Sequence, residues 1–273
     1  MIANRYNEIL NFVEPYLLGN PKVFDNYSLN VFGKEFNSDS LMSCLSTKNY
    51  EFFKLVHKLD SLTFGHQGMG MDKWVFFDCS AMPAGIFGFA IPRKLVPDKL
   101  LRIFEVPDDY QGLVPITMYM AIPTSDRGRW FGHNLSSLSK FLDQDVRGIG
   151  LLTKAFACQV FQIEWCYGAT QWGSPALEIH TQLSDMKLKA SYLPAHTHQN
   201  SLCYVSDYSL ENLERALNGE RRVNEDYDFL IESADLVAQK DLQEKIEAGS
   251  EFSICARPIH RDEKIFYPIK KLS

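Results

Sequence analysis

A chain of 273 residues with 45% apolar and 13% aromatic content holds enough material for one large domain, or for a domain of about 150 to 200 residues with additions at its ends. Its 28 basic and 34 acidic residues leave a net charge of −6, and without a long basic run there is no nucleic-acid groove to propose. A cationic substrate suits this surface better than a polyanion.

Cys44, Cys79, Cys158, Cys166, Cys203 and Cys255 show none of the close pairing that marks zinc or redox sites, so reduced, buried thiols are expected rather than a disulfide framework. The N-terminal segment turns polar and acidic too early for a signal peptide, and no apolar run approaches membrane-spanning length. The expectation is a soluble cytoplasmic protein without membrane or nucleic-acid partners.

In chain order, Ile2, Tyr6, Ile9, Leu10, Val13 and Leu17 share one face of a predicted N-terminal helix that Pro15 ends or bends. Residues 22–36 read as loop with one short strand. Helical patterns follow at 39–46 and 49–62, and Gly65, Gly68 and Gly70 lead to a first strand at 73–79. Its hairpin partner is predicted at 85–91, across the turn 81–84. A loop over 92–115 precedes strands at 116–122 and 129–138. After a helix at 150–161, a strand is expected at 163–172. Ser174 and Pro175 are a strong N-cap and first-position signal for the next helix. Strands at 187–193 and 202–206 flank a polar loop at 194–200. Beyond Ser209 the pattern gives a short helix, a longer one across 226–248, and a terminal hairpin of 251–257 with 264–269.

One stretch organises the rest: Asp145-Val146-Arg147-Gly148-Ile149-Gly150-Leu151-Leu152. It reads as a strand-to-helix turn whose glycines let successive N–H groups converge on an anion, with the positive end of the helix dipole behind them. Such a turn seats a phosphate, or simply lets helix and strand pack closely.

The order strand, glycine turn, helix, strand, capped helix, two strands resembles the GNAT family of acyl-CoA N-acyltransferases between about residues 73 and 206. The family's Gln/Arg-x-x-Gly-x-Gly/Ala signature aligns with 145–150, with Asp145 standing in place of Gln or Arg. The resemblance implies an α+β fold with a mixed, mostly antiparallel central sheet flanked by helices. Residues 1–72 then form an N-terminal helical extension packed on the core, 73–206 the acyl-CoA-binding core, and 207–273 a C-terminal helix and hairpin appendage.

It further implies acetyl-CoA, or another form of coenzyme A, as co-substrate. The pyrophosphate would sit on Val146, Arg147, Gly148, Ile149, Gly150 and Leu151, with the pantetheine arm along Ser137, Leu138 and Ser139 and with Ser174 contributing from the capped helix. His180 falls where the family often has a tyrosine that protonates the departing thiolate, and it is read either in that role or as a core histidine. His133 is the candidate base for the incoming ammonium, its usefulness set by strand register, with Glu164 and Asp78 as weaker alternatives. A carboxylate at 145 beside a pyrophosphate is repulsive, and Arg147 offsets part of that. His196 and His198 lack supporting ligands at metal spacing and are read as a polar loop.

The implied function is acyl transfer to a small-molecule or peptide amine by direct attack in a ternary complex. The alternative is a catalytically inactive binding or interaction protein on the same fold. The terminal hairpin offers edge strands able to pair a second subunit into a homodimer.

Overall fold

The computed structural model describes residues 2–36, 38–82, 84–196, 198–220 and 226–273. Pro83 of the predicted turn and Thr197 of the predicted polar loop lie outside the described residues. The chain divides into two compact units, Met1–Gly128 with Gly132–Ile163, and Arg129–Phe131 with Glu164–Ser273. The architecture is α+β, with mixed, mostly antiparallel sheet flanked by helices.

The first unit begins with α1 (Asn4–Phe12), β1 (Glu14–Gly19), a 3₁₀ turn at Pro21–Asn26, the small hairpin β2 (Asn30–Val31) and β3 (Lys34–Glu35), and β4 (Leu41–Ser43). Next come α2 (Tyr50–Phe64), α3 (Lys73–Ala81), β5 (Gly85–Pro92), α4 (Asp98–Phe104), β6 (Leu113–Pro115), β7 (Thr117–Pro123), β8 (Arg129–Ser137, of which this unit holds the part from Gly132) and α5 (Ile149–Val160). β1 runs parallel to β4 and antiparallel to β5, which pairs antiparallel with β7 and carries β6.

Several sequence expectations change here. Leu17 sits in β1, not on the N-terminal helix; Pro15 cannot continue a helix, and its partner in the sheet is Phe89. The helix expected at 39–46 is a 3₁₀ turn, Ser38–Ser40, followed by β4. The strand expected at 73–79 is α3: its aromatic and β-branched residues suggested a strand, but only Phe76 and Ser80 are buried, at a spacing of four, while Trp74 faces solvent. β5 accordingly pairs with β1 and β7 instead of with 73–79. The expected loop 92–115 contains α4 and β6.

α5 is the spine of this unit. Ile149 through Cys158 and Val160 are all buried, so the helix is covered on nearly every side, polar Thr153 and Lys154 included. Phe156 lies against Phe87, Phe89 and Phe36, with ring centroids 5.7 to 6.4 Å apart. A polar seam ties the same helix to β7: the Thr153 hydroxyl meets that of Thr117 at 2.8 Å, and Thr117 also accepts the Phe89 N–H. Close approach there requires Gly88, where a Cβ would come within 2.1 Å of the Thr117 carbonyl oxygen. Tyr16 donates its hydroxyl to that same carbonyl.

The second unit adds β9 (Trp165–Gln171), α6 (Pro175–Leu183), β10 (Met186–Ala190), β11 (Ser201–Asp207), α7 (Leu210–Leu217), β12 (Phe229–Glu232), α8 (Leu236–Glu247), β13 (Phe252–Ile254), β14 (Ile259–Arg261) and β15 (Lys264–Lys271). Its antiparallel sheet runs β12-β15-β13-β10-β11-β9, with β14 on β15. Trp172, Leu177, Tyr204, Leu242 and Tyr267 belong to its apolar core. The long helix expected from residue 226 begins only at Leu236, where Asp235 accepts the Ala238 N–H; the preceding apolar run is β12, paired with β15. Among the described residues no helix is long and apolar enough to cross a membrane.

Candidate functional site

The turn into α5 is built by alternating burial. Val146 is buried between exposed Asp145 and Arg147, and so anchors the loop while leaving its neighbours in solvent. Gly148 then takes φ +90° as the N-cap residue, a left-handed conformation natural to glycine, and no side chain caps the helix. The Ile149 N–H is taken by the Val146 carbonyl at 3.0 Å, and Leu152 closes the first turn on the Gly148 carbonyl. The amides of Gly150 and Leu151 are first-turn donors that an α-helix does not satisfy internally.

Two neighbours shape the turn. The Asp145 carboxylate accepts the Arg147 backbone N–H at 3.2 Å and its guanidinium at 2.6 to 3.1 Å. The guanidinium, followed by that backbone N–H, holds the Asp145 carboxyl at about 2. The repulsion expected of Asp145 is therefore largely internal to an exposed ion pair, which also occupies one amide of the sequence motif. Tyr6 of α1 closes the other side: a Cβ on Gly148 would stand 3.1 Å from its ring edge. Arg5 donates to the Tyr6 hydroxyl at 2.7 Å and lies 4.5 Å from the ring centroid. The sequence pattern shows Tyr6 only as a member of an apolar helix face and gives no hint that Arg5 stands beside the glycine turn.

In the stretch expected to meet the pantetheine arm, Leu138 is buried and its N–H bonds the Ile116 carbonyl at 2.9 Å. The Ser139 N–H goes to the Ser137 hydroxyl at 3.3 Å.

β8 resolves the register question for His133. Trp130, Asn134 and Ser136 are buried, while Arg129, Phe131 and His133 are exposed. His133 Nδ1 lies 2.7 Å from the Asn134 side-chain oxygen, and the Asn134 amide donates to Asp60 Oδ1 at 2.5 Å. Asp60, on α2, is fully buried and also accepts the Met71 N–H at 2.8 Å. Burial pushes its carboxyl above the ordinary value, against the opposing pull of these two donors. One turn earlier, His57 Nε2 lies 2.8 Å from the Met71 carbonyl, so α2 holds both backbone groups of Met71. Asp60 escapes motif reading because it sits inside an ordinary amphipathic helix 74 residues from its partner.

The first unit thus contains His133, Ser137, Leu138, Ser139 and Val146 through Leu151, whereas Ser174 and His180 belong to the second. Ser174 acts as the predicted cap, its hydroxyl accepting the Ala176 N–H at 3.2 Å. His180 is buried, its ring 5.3 Å from that of Tyr204 on β11. Asp78 lies on α3 rather than on a strand, and both Asp78 and Glu164 are exposed. His196 Nδ1 accepts the His198 N–H at 3.0 Å, a contact within the loop. Among the described residues no group of three or more His, Cys, Asp or Glu could hold a metal ion.

No protein-family model matches the sequence, and no curated protein sequence matches it significantly. Solved structures similar to this chain include the following three. An assigned N-acetyltransferase from Lactobacillus plantarum is 9% identical at a TM-score of 0.41, covering 73% of this chain and 100% of its own. Diaminobutyrate acetyltransferase from Paenibacillus lautus, in complex with L-2,4-diaminobutyric acid and coenzyme A, is 8% identical at 0.37, covering 57% and 89%. The acyl-homoserine lactone synthase BjaI, solved with SAM and isopentyl-CoA, is 11% identical at 0.38, covering 64% and 85%.

Proposed function

We propose that this chain is an acyl-CoA-dependent N-acyltransferase, transferring an acetyl or other acyl group to a small-molecule or peptide amine in a ternary complex. The observation that carries the proposal is the start of α5, where a left-handed glycine, exposed and without a side-chain cap, opens a buried helix. First-turn amides and the helix dipole favour a diphosphate there, and Arg147 and Arg5 supply cationic charge around the turn.

In this reading Arg147 exchanges its partner, Asp145, for a phosphate oxygen when coenzyme A binds. His133, exposed on β8, removes a proton from the substrate ammonium so that the amine lone pair can attack the thioester carbonyl. The acyl group moves to nitrogen and the thiolate leaves as free coenzyme A once protonated. The proton donor proposed for that step, His180, and the contact proposed for Ser174 rest on the sequence resemblance alone.

The second reading, a binding protein that keeps the turn without the chemistry, is favoured by the Asp145 carboxylate on the Arg147 amide. Titrating acetyl-CoA separates the two readings from a third outcome in which both are lost. Saturation at about a hundredfold over Kd should stabilise the fold by about 2.7 kcal/mol. Acetyl-CoA-dependent thiol release with a panel of amines, abolished in His133→Ala, supports the transferase. Binding without turnover supports the second reading, and the absence of any stabilisation sinks both.

A further inference from the structure

We infer that Asp60 and Asn134 are positioning residues that fix the tautomer of His133 and make Nε2 its basic atom. The inference rests on the transferase reading for its catalytic meaning, but its structural content stands apart from any acyl donor.

The argument is a count of donors and acceptors along one chain of contacts. Both Asp60 oxygens are engaged by donors: Oδ2 takes the Met71 N–H and Oδ1 the Asn134 amide. A backbone N–H cannot reverse its role. With Asp60 ionised, the Asn134 amide group must face it, because its carbonyl end would set oxygen against a carboxylate oxygen at 2.5 Å. That leaves the Asn134 oxygen toward His133 Nδ1 at 2.7 Å, where only an N–H is favourable. Neutral His133 thus carries its proton on Nδ1, and the lone pair sits on Nε2. The order is carboxylate, amide, imidazole, running from a fully buried group on α2 to an exposed one on β8. When an ammonium N–H bond breaks and its proton forms a bond to Nε2, the Nδ1–H remains on the Asn134 oxygen. The resulting imidazolium is then held by an oriented amide backed by a carboxyl group. An isolated exposed histidine would have neither its tautomer nor its ring orientation set in advance.

Met71 is the fixed end of this device. With His57 on its carbonyl and Asp60 on its N–H, the segment after Gly70 is pinned to α2, so the direction of the whole chain is set by backbone.

The inference makes an unusual prediction for Asp60→Asn. The new side chain has one acceptor and one donor end, and the Met71 N–H claims the acceptor. Its amide group then faces Asn134, which must turn its oxygen inward and present its own amide to His133. Nδ1 becomes an acceptor and the proton moves to Nε2. Long-range 1H–15N correlation spectra of histidine-labelled full-length protein report the tautomer directly, with the His133 signals assigned by their loss in His133→Gln. At a pH where the ring is neutral, the wild type should show Nδ1–H and Asp60→Asn should show Nε2–H. Asn134→Ala leaves the Met71–Asp60 contact in place, so it serves if the first variant does not fold; it should lose the Nδ1–H preference.

A wild-type ring protonated on Nε2, or a tautomer indifferent to both substitutions, overturns the inference. If the protein turns over acetyl-CoA, Asp60→Asn should lower kcat by up to about 100-fold with KM held. Unchanged kcat in a variant with a switched tautomer would remove the catalytic role. Absence of turnover in the wild type would count against the transferase reading, while the spectra still decide the positioning.

Discussion

Two helices of this protein begin in opposite ways, and the contrast separates a helix end that is finished from one that is open. α6 starts with Ser174 in extended backbone, its hydroxyl on the Ala176 N–H, and Pro175 at the first helical position where a missing N–H does no harm. α5 starts with a left-handed glycine and no side-chain cap, although its body is among the most buried parts of the chain. The first arrangement closes its donors locally. The second leaves first-turn donors at the head of a dipole, beside an exposed arginine whose only described ion-pair partner is two residues away. A helix end left open in this manner is either a weakness in the fold or a place kept for a ligand, and substitutions at the two starts distinguish these.

The largest effect is expected from Gly148→Val. A β-branched residue at φ +90° is strained, and its Cβ would press on Tyr6 at 3.1 Å. Stability should fall by about 1 to 3 kcal/mol in urea unfolding, and calorimetry should show no coenzyme A binding in the fraction that remains folded. Intact affinity would mean that the open start is not the ligand site. Ser174→Ala should cost about 1 kcal/mol through loss of the cap, and the contact proposed for Ser174 predicts weaker coenzyme A binding as well. Unchanged affinity would leave Ser174 a helix cap alone.

Asp145→Asn probes the open start without touching the backbone. It removes a carboxylate from beside the Arg147 amide and guanidinium, so coenzyme A should bind a few-fold more tightly, on the scale of a charge-assisted hydrogen bond competing with solvent. Weaker binding would show that Asp145 orders the loop instead of competing for it.

The smallest expected effect is a null one in pH. The Asp145 carboxyl is held at about 2, so its interaction with Arg147 is fully present above the ordinary carboxylate value near 4 and is lost only as pH falls through about 2. Coenzyme A affinity at constant ionic strength should therefore carry no contribution from Asp145 across the neutral range. Asp60 behaves in the opposite sense. Burial raises its carboxyl, so this group favours the folded state most below the ordinary carboxylate value, and that contribution declines as pH rises through and above it.

The elements that could be read from the sequence are those whose signals are local. Ser174 and Pro175 announce α6 because capping chemistry involves neighbours two positions apart. Gly148 announces the start of α5 because only a few residues tolerate its backbone, and β7 and β8 follow from their apolar and alternating runs. The errors share another cause. The aromatic run at 73–79 becomes α3, and Leu17 leaves the N-terminal helix for β1, because pairing partners far along the chain outweigh local preference.

The amino-acid order by itself determined the glycine turn, the helix behind it and the exposed arginine beside it, since each depends on residues within one or two turns. Only the tertiary structure decided what surrounds them. It brought Tyr6 against Gly148 and Asp60 against Asn134, partners separated by well over fifty residues. No pattern in a single strand or helix encodes such contacts; they arise when buried polar groups must find acceptors, and only the folded chain supplies those.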